Sequence, residues 1–364
     1  MILREILLKN FRNYENQKVI FSDSVNIITG NNGSGKTNII EAISILSGSK
    51  SFRNSKDKDI IKWGSDSYFC KAIVEEGNNS AFESGCILNG QSFEKKRKID
   101  GILLSASEFF GKILTVIFSP EDILIIDSSP EIRRKYFDGV ISKFDDLYLK
   151  NLMQYKKILK FRNYILKSGK DENTIKKELS VWNDAFSEKA VYITNKRHEF
   201  IKDFNSEFSE IYDLFSFNHN NSYFKFKSDN LSLSKNDFLL KVEKSVKRDL
   251  NSFSTSIGPH KDDFILNSFG DRTFSEFASQ GQKRIASVSM KFAEKRITEK
   301  IRNEKAVILI DDVFSELDKV RKEKFVEMTA FTNQSIFTIA DTRNIDFFSL
   351  EKNIINIDKG IVFQ

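Results

Sequence analysis

The chain has 364 residues, of which 40% are hydrophobic and 30% are charged, as in an ordinary folded globular protein. It contains no apolar run long enough to cross a bilayer, which argues against a membrane-spanning protein, and the early Glu5 argues against a signal peptide. The formal net charge of +6 permits binding to a polyanion without establishing it.

The two cysteines, Cys70 and Cys86, lack the spacing of a metal-ligand motif. We interpret them as reduced structural residues, which favours a cytoplasmic protein.

The first 29 residues predict strands. Apolar and polar residues alternate over 2–8, and a second strand is expected at 18–21. The turn between them carries Arg12, which by itself is typical of a solvated surface charge. A continuous apolar run at 25–29 predicts a buried strand.

A glycine-rich loop follows that strand and reads G-x-x-x-x-G-K-T, the phosphate-binding P-loop. Its residues are Gly30, Asn31, Asn32, Gly33, Ser34, Gly35, Lys36 and Thr37. The helix predicted over 38–46 completes the strand–loop–helix context that a chance glycine turn would lack. The backbone N–H groups then cradle phosphates, Lys36 reaches the outer phosphates, and Thr37 holds Mg²⁺.

A basic stretch at 49–58 has no apolar period and predicts a loop. Such a stretch is usually a solvated surface, and the functional alternative is contact with DNA phosphates. Beyond it, residues 67–118 predict strands with turns at 77–79 and at the Asn89–Gly90 pair, a good hairpin signal.

The middle of the chain predicts helices. Apolar residues recur at helical spacing from a start at 128–131 to residue 166, and again over 174–215. Two helices joined by a short polar link form an antiparallel pair, and the irregular Phe-rich pattern favours a packed arm over a rod. Residues 216–250 are polar and mixed, with a short strand at 223–226.

Two short motifs follow. The run Gly-Pro-His-Lys-Asp-Asp contains His260, which is either a catalytic or switch residue or an ordinary turn histidine. The run Ser-Gln-Gly-Gln at 279–282 opens a predicted helix, where backbone N–H groups can meet a phosphate.

Residues 306–312 form an apolar strand that ends in Asp311 and Asp312, the Walker B pattern. In P-loop ATPases the first acid helps to hold Mg²⁺, and the second is placed to polarise the attacking water. A last strand is predicted at 335–340.

The order of these motifs resembles the ABC-type ATPase heads of the SMC family, whose two halves are separated by a helical excursion. The resemblance implies an α/β head with a mixed sheet and a P-loop core, interrupted by an inserted antiparallel helical arm. The head then occupies 1–127 and 253–364, and the arm occupies 128–252. The pattern departs from ABC transporters because it lacks a clear Q-loop glutamine and a switch histidine after the last strand.

The resemblance also implies roles for single residues. The signature segment, which contacts ATP bound to the opposite subunit, falls on Ser279, Gln280, Gly281 and Gln282. Arg12 becomes a nucleotide contact and Asp318 lies in the loop that crosses the dimer interface. Asp311 binds the metal with Thr37, and Asp312 acts with Lys36 in catalysis, with slow turnover.

The function implied by the resemblance is ATP-dependent clamping of a homodimer onto DNA at gaps and single/double-strand junctions. RecR and RecO are the implied partners, helping to load RecA, and ATP hydrolysis is weak and stimulated by DNA. The candidate DNA contacts are Lys50, Arg53, Lys56 and Lys62. Two rival interpretations are a soluble ABC ATPase subunit acting on a membrane partner and a small-molecule kinase.

Overall fold

The computed structural model describes residues 1–48, 50–53, 55–90, 92–217, 222–268, 272–330, 334–348 and 351–364, with backbone only for Ser315 and Ala330. The chain forms two compact units. The head unit comprises residues 1–121 and 298–364, and the arm unit comprises residues 122–297. The domain boundaries predicted from the sequence lie after residues 127 and 252. The main difference from the structure is the segment 253–297, which was predicted to belong to the head but is part of the arm unit.

The first part of the head unit is mostly β-structure. Its elements are β1 (Ile2–Phe11), β2 (Tyr14–Ile20), β3 (Val25–Thr29), α1 (Lys36–Gly48), α2 (Asp57–Ile60), β4 (Ser67–Glu76), β5 (Asn78–Asn89), β6 (Ser92–Ile99), β7 (Ile102–Leu103), α3 (Ala106–Phe109) and β8 (Thr115–Phe118).

The arm unit is mostly helical. Its elements are α4 (Leu124–Asp127), α5 (Pro130–Ser142), α6 (Asp146–Leu166), α7 (Glu172–Ser216), β9 (Tyr223–Lys227), α8 (Lys235–Ser252), β10 (Asp263–Ser268), β11 (Arg272–Thr273), α9 (Phe274–Phe277) and most of α10 (Gln280–Arg302). The rest of the head unit adds β12 (Val307–Asp311), α11 (Lys319–Ala330), β13 (Gln334–Ile339), β14 (Lys352–Asp358) and β15 (Ile361–Phe363). Short 3₁₀ turns lie at Pro120–Ile123, Pro259–Lys261, Val313–Glu316 and Thr342–Phe347.

The head unit contains two sheets with α1 packed against strands of both. One sheet is antiparallel, in the order β2-β1-β4-β5-β6-β7. The other has the order β15-β14-β3-β13-β12-β8 and is parallel except for β15. Strands β3, β12 and β13 are buried at every residue, as expected for the centre of a covered parallel sheet.

The two turns predicted between the strands of residues 67–118 are confirmed in the antiparallel sheet. β4 and β5 pair antiparallel up to Glu76 and Asn78, and β5 and β6 pair up to Asn89 and Ser92. Both cysteines are free thiols buried in this sheet, in agreement with their interpretation as reduced structural residues.

The arm unit confirms the antiparallel helix pair and corrects two predictions. The helical run predicted up to residue 166 is two helices, because Asp145 leaves the helical conformation and its side chain caps α6 by accepting from the Tyr148 N–H. The stretch 216–250, interpreted as polar and mixed, contains all but the last two residues of the 18-residue helix α8. Its polar residues belong to the exposed face of an amphipathic helix.

The core of the arm unit is built from phenylalanine. Phe137 stacks on Phe264 at 4.3 Å between ring centroids and meets Phe204 and Phe224 edge-on at 5.2 and 5.1 Å. Such contacts add to the free energy of burial. The many phenylalanines therefore have a packing role, which composition alone does not establish.

None of the described helices combines the length and the apolar character that a bilayer-spanning segment requires.

Candidate nucleotide site

The candidate site lies at the carboxyl edge of the parallel sheet. β13 lies between β3 and β12, and Thr338 on β13 is paired with Asp311 on one side and with Ile28 on the other. Since parallel strands end at the same edge, the loops that follow them meet there. A cavity of about 240 Å³ is lined by Asn32, Gly33, Gly35, Lys36, Thr37, Asn38, Arg53, Asp312, Thr338 and Ala340.

The P-loop backbone needs glycine at two positions. Gly30 and Gly35 have φ angles of +149° and +120°, which side chains disfavour. A Cβ on Gly35 would lie 2.7 Å from polar side-chain atoms of Asn13 and Tyr14, and one on Gly30 would lie 2.1 Å from the Ile357 carbonyl oxygen. The curled loop can therefore form only with bare backbone at these points.

Lys36 crosses the mouth of this loop. Its Nζ donates to the carbonyl oxygens of Gly30 at 2.7 Å and Asn31 at 3.0 Å. Burial lowers the pKa of Lys36, and the nearby Asp312 and Asp311 oppose that shift. The ammonium group is held over the cradle, where it can meet a phosphate.

The hydroxyl of Thr37 donates to Asp311 Oδ1 at 2.8 Å, and the hydroxyl of Thr338 donates to the same atom at 2.8 Å. Burial raises the pKa of Asp311, although both hydrogen bonds act to lower it. A hydroxyl and a buried carboxylate side by side are the hard oxygen ligands that Mg²⁺ prefers, with phosphates and water completing the shell. The residues therefore fit a magnesium ion brought in with a nucleotide, while no group of three His, Cys, Asp or Glu able to hold a metal alone exists in the described ranges.

Asp312 is exposed at the cavity wall. Its backbone is left-handed, with φ of 52°, and its N–H donates to Thr338 Oγ1 at 3.1 Å. This backbone turn directs the chain away from the strand immediately after Asp311. The arrangement gives Asp312 the position expected of a group that orients water.

Three residues that support the P-loop were missed by the sequence reasoning. Asn13 Nδ2 donates to the Ser34 carbonyl at 2.8 Å and Tyr14 Oη donates to the Gly35 carbonyl at 3.0 Å. Asn38 Nδ2 in turn donates to Asn13 Oδ1 at 2.8 Å. The sequence offered one indication of this role, namely that Asn13 and Tyr14 directly follow Arg12, the candidate nucleotide contact.

Arg12 is not a solvated charge. Its guanidinium pairs with the fully buried Glu41 at 2.7 Å and donates to Ser55 Oγ at 2.5 Å and to the Asp59 carbonyl. Burial acts to raise the pKa of Glu41, but hydrogen bonds from Arg12 and Ser51 hold it below its ordinary value. Arg12 therefore fixes the loop that follows α1, at the wall of a second cavity.

This second cavity has a volume of about 530 Å³ and adjoins the first one. The two cavities share Asn38 and Arg53, and Trp63 lines the second with 99% of its surface exposed. Arg53, predicted as a DNA contact, therefore lies beside the phosphate cradle, and its charge acts on Asp311.

The other three basic candidates lie on either side of the short helix α2, with Lys50 and Lys56 before it and Lys62 after it. Lys50 and Lys56 are exposed, and Lys62 is partly covered and pairs with Glu15 at 3.1 Å. Exposed basic side chains of this kind are compatible with contacts to a DNA phosphate backbone and equally with a solvated surface.

The signature segment opens α10, as predicted. The Ser279 N–H donates to Gln282 Oε1 at 2.8 Å and the Gln282 N–H donates to Ser279 Oγ at 3.3 Å, a reciprocal capping box. Gln280 and Gly281 form the exposed first turn between them. Asp318 caps α11 by accepting from the Arg321 N–H at 3.0 Å, and its side chain is about half exposed.

His260 is a structural residue of the arm unit. Its Nε2 lies 2.8 Å from the Thr255 carbonyl, so Nε2 carries the proton and Nδ1 accepts from Tyr155 Oη at 2.6 Å. Burial lowers the pKa of His260 to about 4, so the ring is neutral. Both ring nitrogens are used in packing, which favours the turn-histidine interpretation.

The P-loop, the paired Walker B acids and the inserted helical arm together define an ABC-type ATPase head of the SMC class. Comparison with known proteins agrees at the level of fold. A solved SMC head domain with a coiled coil and joint, from Pyrococcus yayanosii, superposes with a TM-score of 0.56 over 99% of this chain and 96% of that one, at 16% identity.

Relatives of higher sequence identity identify the family within this class. The profile described as RecF/RecN/SMC N terminal domain matches residues 2–359. The DNA replication and repair protein RecF of Leptospira interrogans serovar Lai is 37% identical over 95% of this chain and 93% of its own length. That of Thermoanaerobacter sp. strain X514 is 40% identical over 90% and 91%.

A solved structure of the recombination mediator protein RecF with ATP, in the RecFOR pathway, is 33% identical. It superposes with a TM-score of 0.87 over 99% of this chain and 98% of its own. The chain belongs to the RecF family of DNA replication and repair proteins.

Proposed function

We propose that this chain binds ATP with Mg²⁺ at the P-loop and uses slow hydrolysis to switch a homodimer between DNA-bound and free states. The observation that carries the proposal is the prebuilt contact between Thr37 and Asp311, with Lys36 over the cradle. A related RecF has been solved with ATP, which supports the same ligand here.

The nucleotide would occupy both of the adjoining cavities. The phosphates occupy the glycine cradle, and the nucleoside extends into the larger cavity, where the flat face of Trp63 is free to stack on a base. Arg53, shared by both, then contacts the phosphates rather than DNA. Arg12 shapes the second cavity through its pair with Glu41.

The bound metal ion would neutralise phosphate charge as it develops in the reaction. Thr37 and Asp311 would hold it, and Lys36 would bind the outer phosphates. Asp312, exposed at the wall, would orient the attacking water; aspartate is shorter than the glutamate that most ABC proteins use for that role, which fits slow turnover. Lys36→Arg is expected to bind ATP without turning it over; full turnover in this variant would remove Lys36 from the mechanism.

The dimer follows from the family pattern. Ser279, Gln280, Gly281 and Gln282 would contact ATP held by the other subunit, with Asp318 near the shared interface. We expect Ser279→Arg to abolish ATP-driven dimerisation, measured by analytical ultracentrifugation, while leaving ATP binding by the monomer unchanged. A normal dimer in this variant would refute the face-to-face arrangement.

The closed dimer would clamp DNA at gaps and single/double-strand junctions and act with RecR and RecO to help load RecA in recombinational repair. Two copies of each basic loop give avidity from weak phosphate contacts. Lys50, Lys56 and Lys62 are the candidates. Replacing Lys50 and Lys56 by Glu is expected to weaken ATP-dependent DNA binding, with Lys170→Glu/Lys176→Glu on the arm unit as a charge-matched control.

A further inference from the structure

The arm unit contains a charged cavity of about 390 Å³ that the ATPase mechanism does not use. It lies among α8, β9 and the 3₁₀ turn Pro259–Lys261. Four basic side chains line it: Lys227, Lys241, Arg248 and Lys261.

The carboxylates of this cavity do not balance those cations. Asp262 pairs with the buried Arg197 at 2.9 Å, and Asp263 pairs with Arg133 at 2.7 Å. Asp229 is the one lining carboxylate without an ion-pair partner among the residues that the structure describes. The cavity therefore presents a clear excess of positive charge.

Two of the cations are held in place by neutral groups. Lys241 Nζ donates to the Asp229 carbonyl at 2.6 Å and to Asn230 Oδ1 at 2.9 Å. Arg248 Nε donates to Ser256 Oγ at 2.9 Å. These bonds orient the charges without neutralising them, which is the arrangement of a preorganised anion site.

The remaining two, Lys227 and Lys261, are exposed, and neither forms an ion pair within the described part of the chain. Lys241 and Arg248 are seven residues apart on α8, so they lie on one face about 10 Å apart along the axis. The cavity thus collects cations from α8, from β9 and from the 3₁₀ turn, more than a single phosphate group would need.

We infer that this cavity binds the phosphate backbone of a nucleic-acid strand, giving the arm unit a DNA contact separate from the basic loop of the head unit. Among its described lining residues there is no aromatic side chain on which a base could stack. The contact is therefore to phosphates and does not read sequence. The inference rests on the DNA binding in the proposed function and adds a second surface to it.

The test measures binding of fluorescent single-stranded and gapped DNA by anisotropy, with ATP and Mg²⁺ present, over a range of salt concentrations. The variant Lys241→Glu/Arg248→Glu is compared with Lys244→Glu/Lys247→Glu, which places the same charge change on exposed residues of α8 outside the cavity. The cavity variant should bind at least tenfold more weakly than the control. Its slope of log K against log salt should fall by about 1.4 to 1.8, the value for two lost phosphate contacts.

The milder variant Lys241→Gln/Arg248→Gln, checked for an unchanged melting temperature, separates this effect from misfolding. Equal losses in the cavity and control variants would overturn the inference and leave DNA binding by the head unit standing. A wild-type protein that binds neither DNA would overturn the proposed function together with it. Displacement by polyglutamate but not by DNA would also overturn it, in favour of an acidic protein partner.

Discussion

The hydroxyl of Thr37 lies 2.8 Å from the carboxylate of Asp311, although 274 residues separate them in the sequence. The strands that carry the two motifs flank β13, so the sheet brings both to one edge. The Thr338 hydroxyl on β13 donates to the same carboxylate oxygen. The two oxygen groups that we propose as metal ligands are thus positioned by the fold.

The first prediction concerns this pair. In Thr37→Ala or Asp311→Asn, ATP binding should lose its dependence on Mg²⁺, because the oxygen ligands that the protein supplies to the ion are removed. Isothermal titration with and without Mg²⁺ measures the effect, and Ser180→Ala on the exposed face of α7 is the control. An unchanged Mg²⁺ dependence in both site variants would exclude them as ligands.

A pH dependence follows from the same carboxylate. Burial raises the pKa of Asp311, so it takes up a proton at a higher pH than an ordinary aspartate does. Since the cation requires the ionised form, Mg²⁺-dependent ATP affinity should be full above the raised pKa and fall as the pH drops through it. Asp311→Asn should show lower affinity and no such titration, and a titration that persists in this variant would assign it to another group.

The supports of the P-loop give a third prediction. Tyr14→Phe removes the hydrogen bond to the Gly35 carbonyl and should weaken ATP binding about fivefold, for a net loss of about 1 kcal/mol. Tyr164→Phe, at a tyrosine that is 74% exposed, is the matched control and should have no effect. Equal affinities in wild type and Tyr14→Phe would show that the loop holds its shape without this bond.

Trp63 tests where the nucleoside binds. Trp63→Ala should weaken ATP binding about tenfold, within the range of about 1–3 kcal/mol for stacking of one base. It should leave binding of inorganic tripolyphosphate unchanged, because the phosphate cradle is intact. Equal losses for both ligands would place Trp63 outside a base-stacking role, and Tyr164→Ala controls for loss of an exposed aromatic residue.

His260 predicts how stability depends on pH. Burial lowers its pKa to about 4 from the ordinary histidine value of 6.5, so the unfolded chain binds the extra proton between these values. The free energy of unfolding should therefore decrease as the pH falls from 6.5 to 4, by up to about 1.4 kcal/mol per pH unit from this group. Urea unfolding of His260→Gln should show a correspondingly flatter profile, and the same slope in both proteins would contradict the assignment.

The sequence was sufficient for the parts of the site that local chemistry defines. The P-loop, its strand and its helix were predictable because glycine spacing and a buried apolar run specify them together. The roles of three other residues were not predictable, because each one contacts a residue that is distant in the sequence. Asn13 and Tyr14 bond to the P-loop from the antiparallel sheet, and Thr338 bonds to Asp311 on the neighbouring strand. Arg12 was ambiguous for the same reason, since its acid Glu41 lies 29 residues away.

The fold shows the same division. The bounds of long periodic helices such as α7 were predicted to within about two residues. Helix α8 was missed, because its many Lys and Asn residues led the segment to be interpreted as polar and mixed. The break between α5 and α6 depends on one capping aspartate, Asp145, inside a continuous apolar period. The segment 253–297 joins the arm unit through the pairing of β10 with β9, which no local pattern encodes.

The most direct test of the account is the rate of ATP hydrolysis by the purified protein with no DNA, with duplex, with single strands and with gapped DNA. We predict a slow basal rate that rises several-fold with DNA containing a duplex portion, and no rise in Lys36→Arg. A rate that is indifferent to every DNA would leave the ATPase head intact but contradict its role as a DNA-gated switch, and would favour the membrane-partner interpretation.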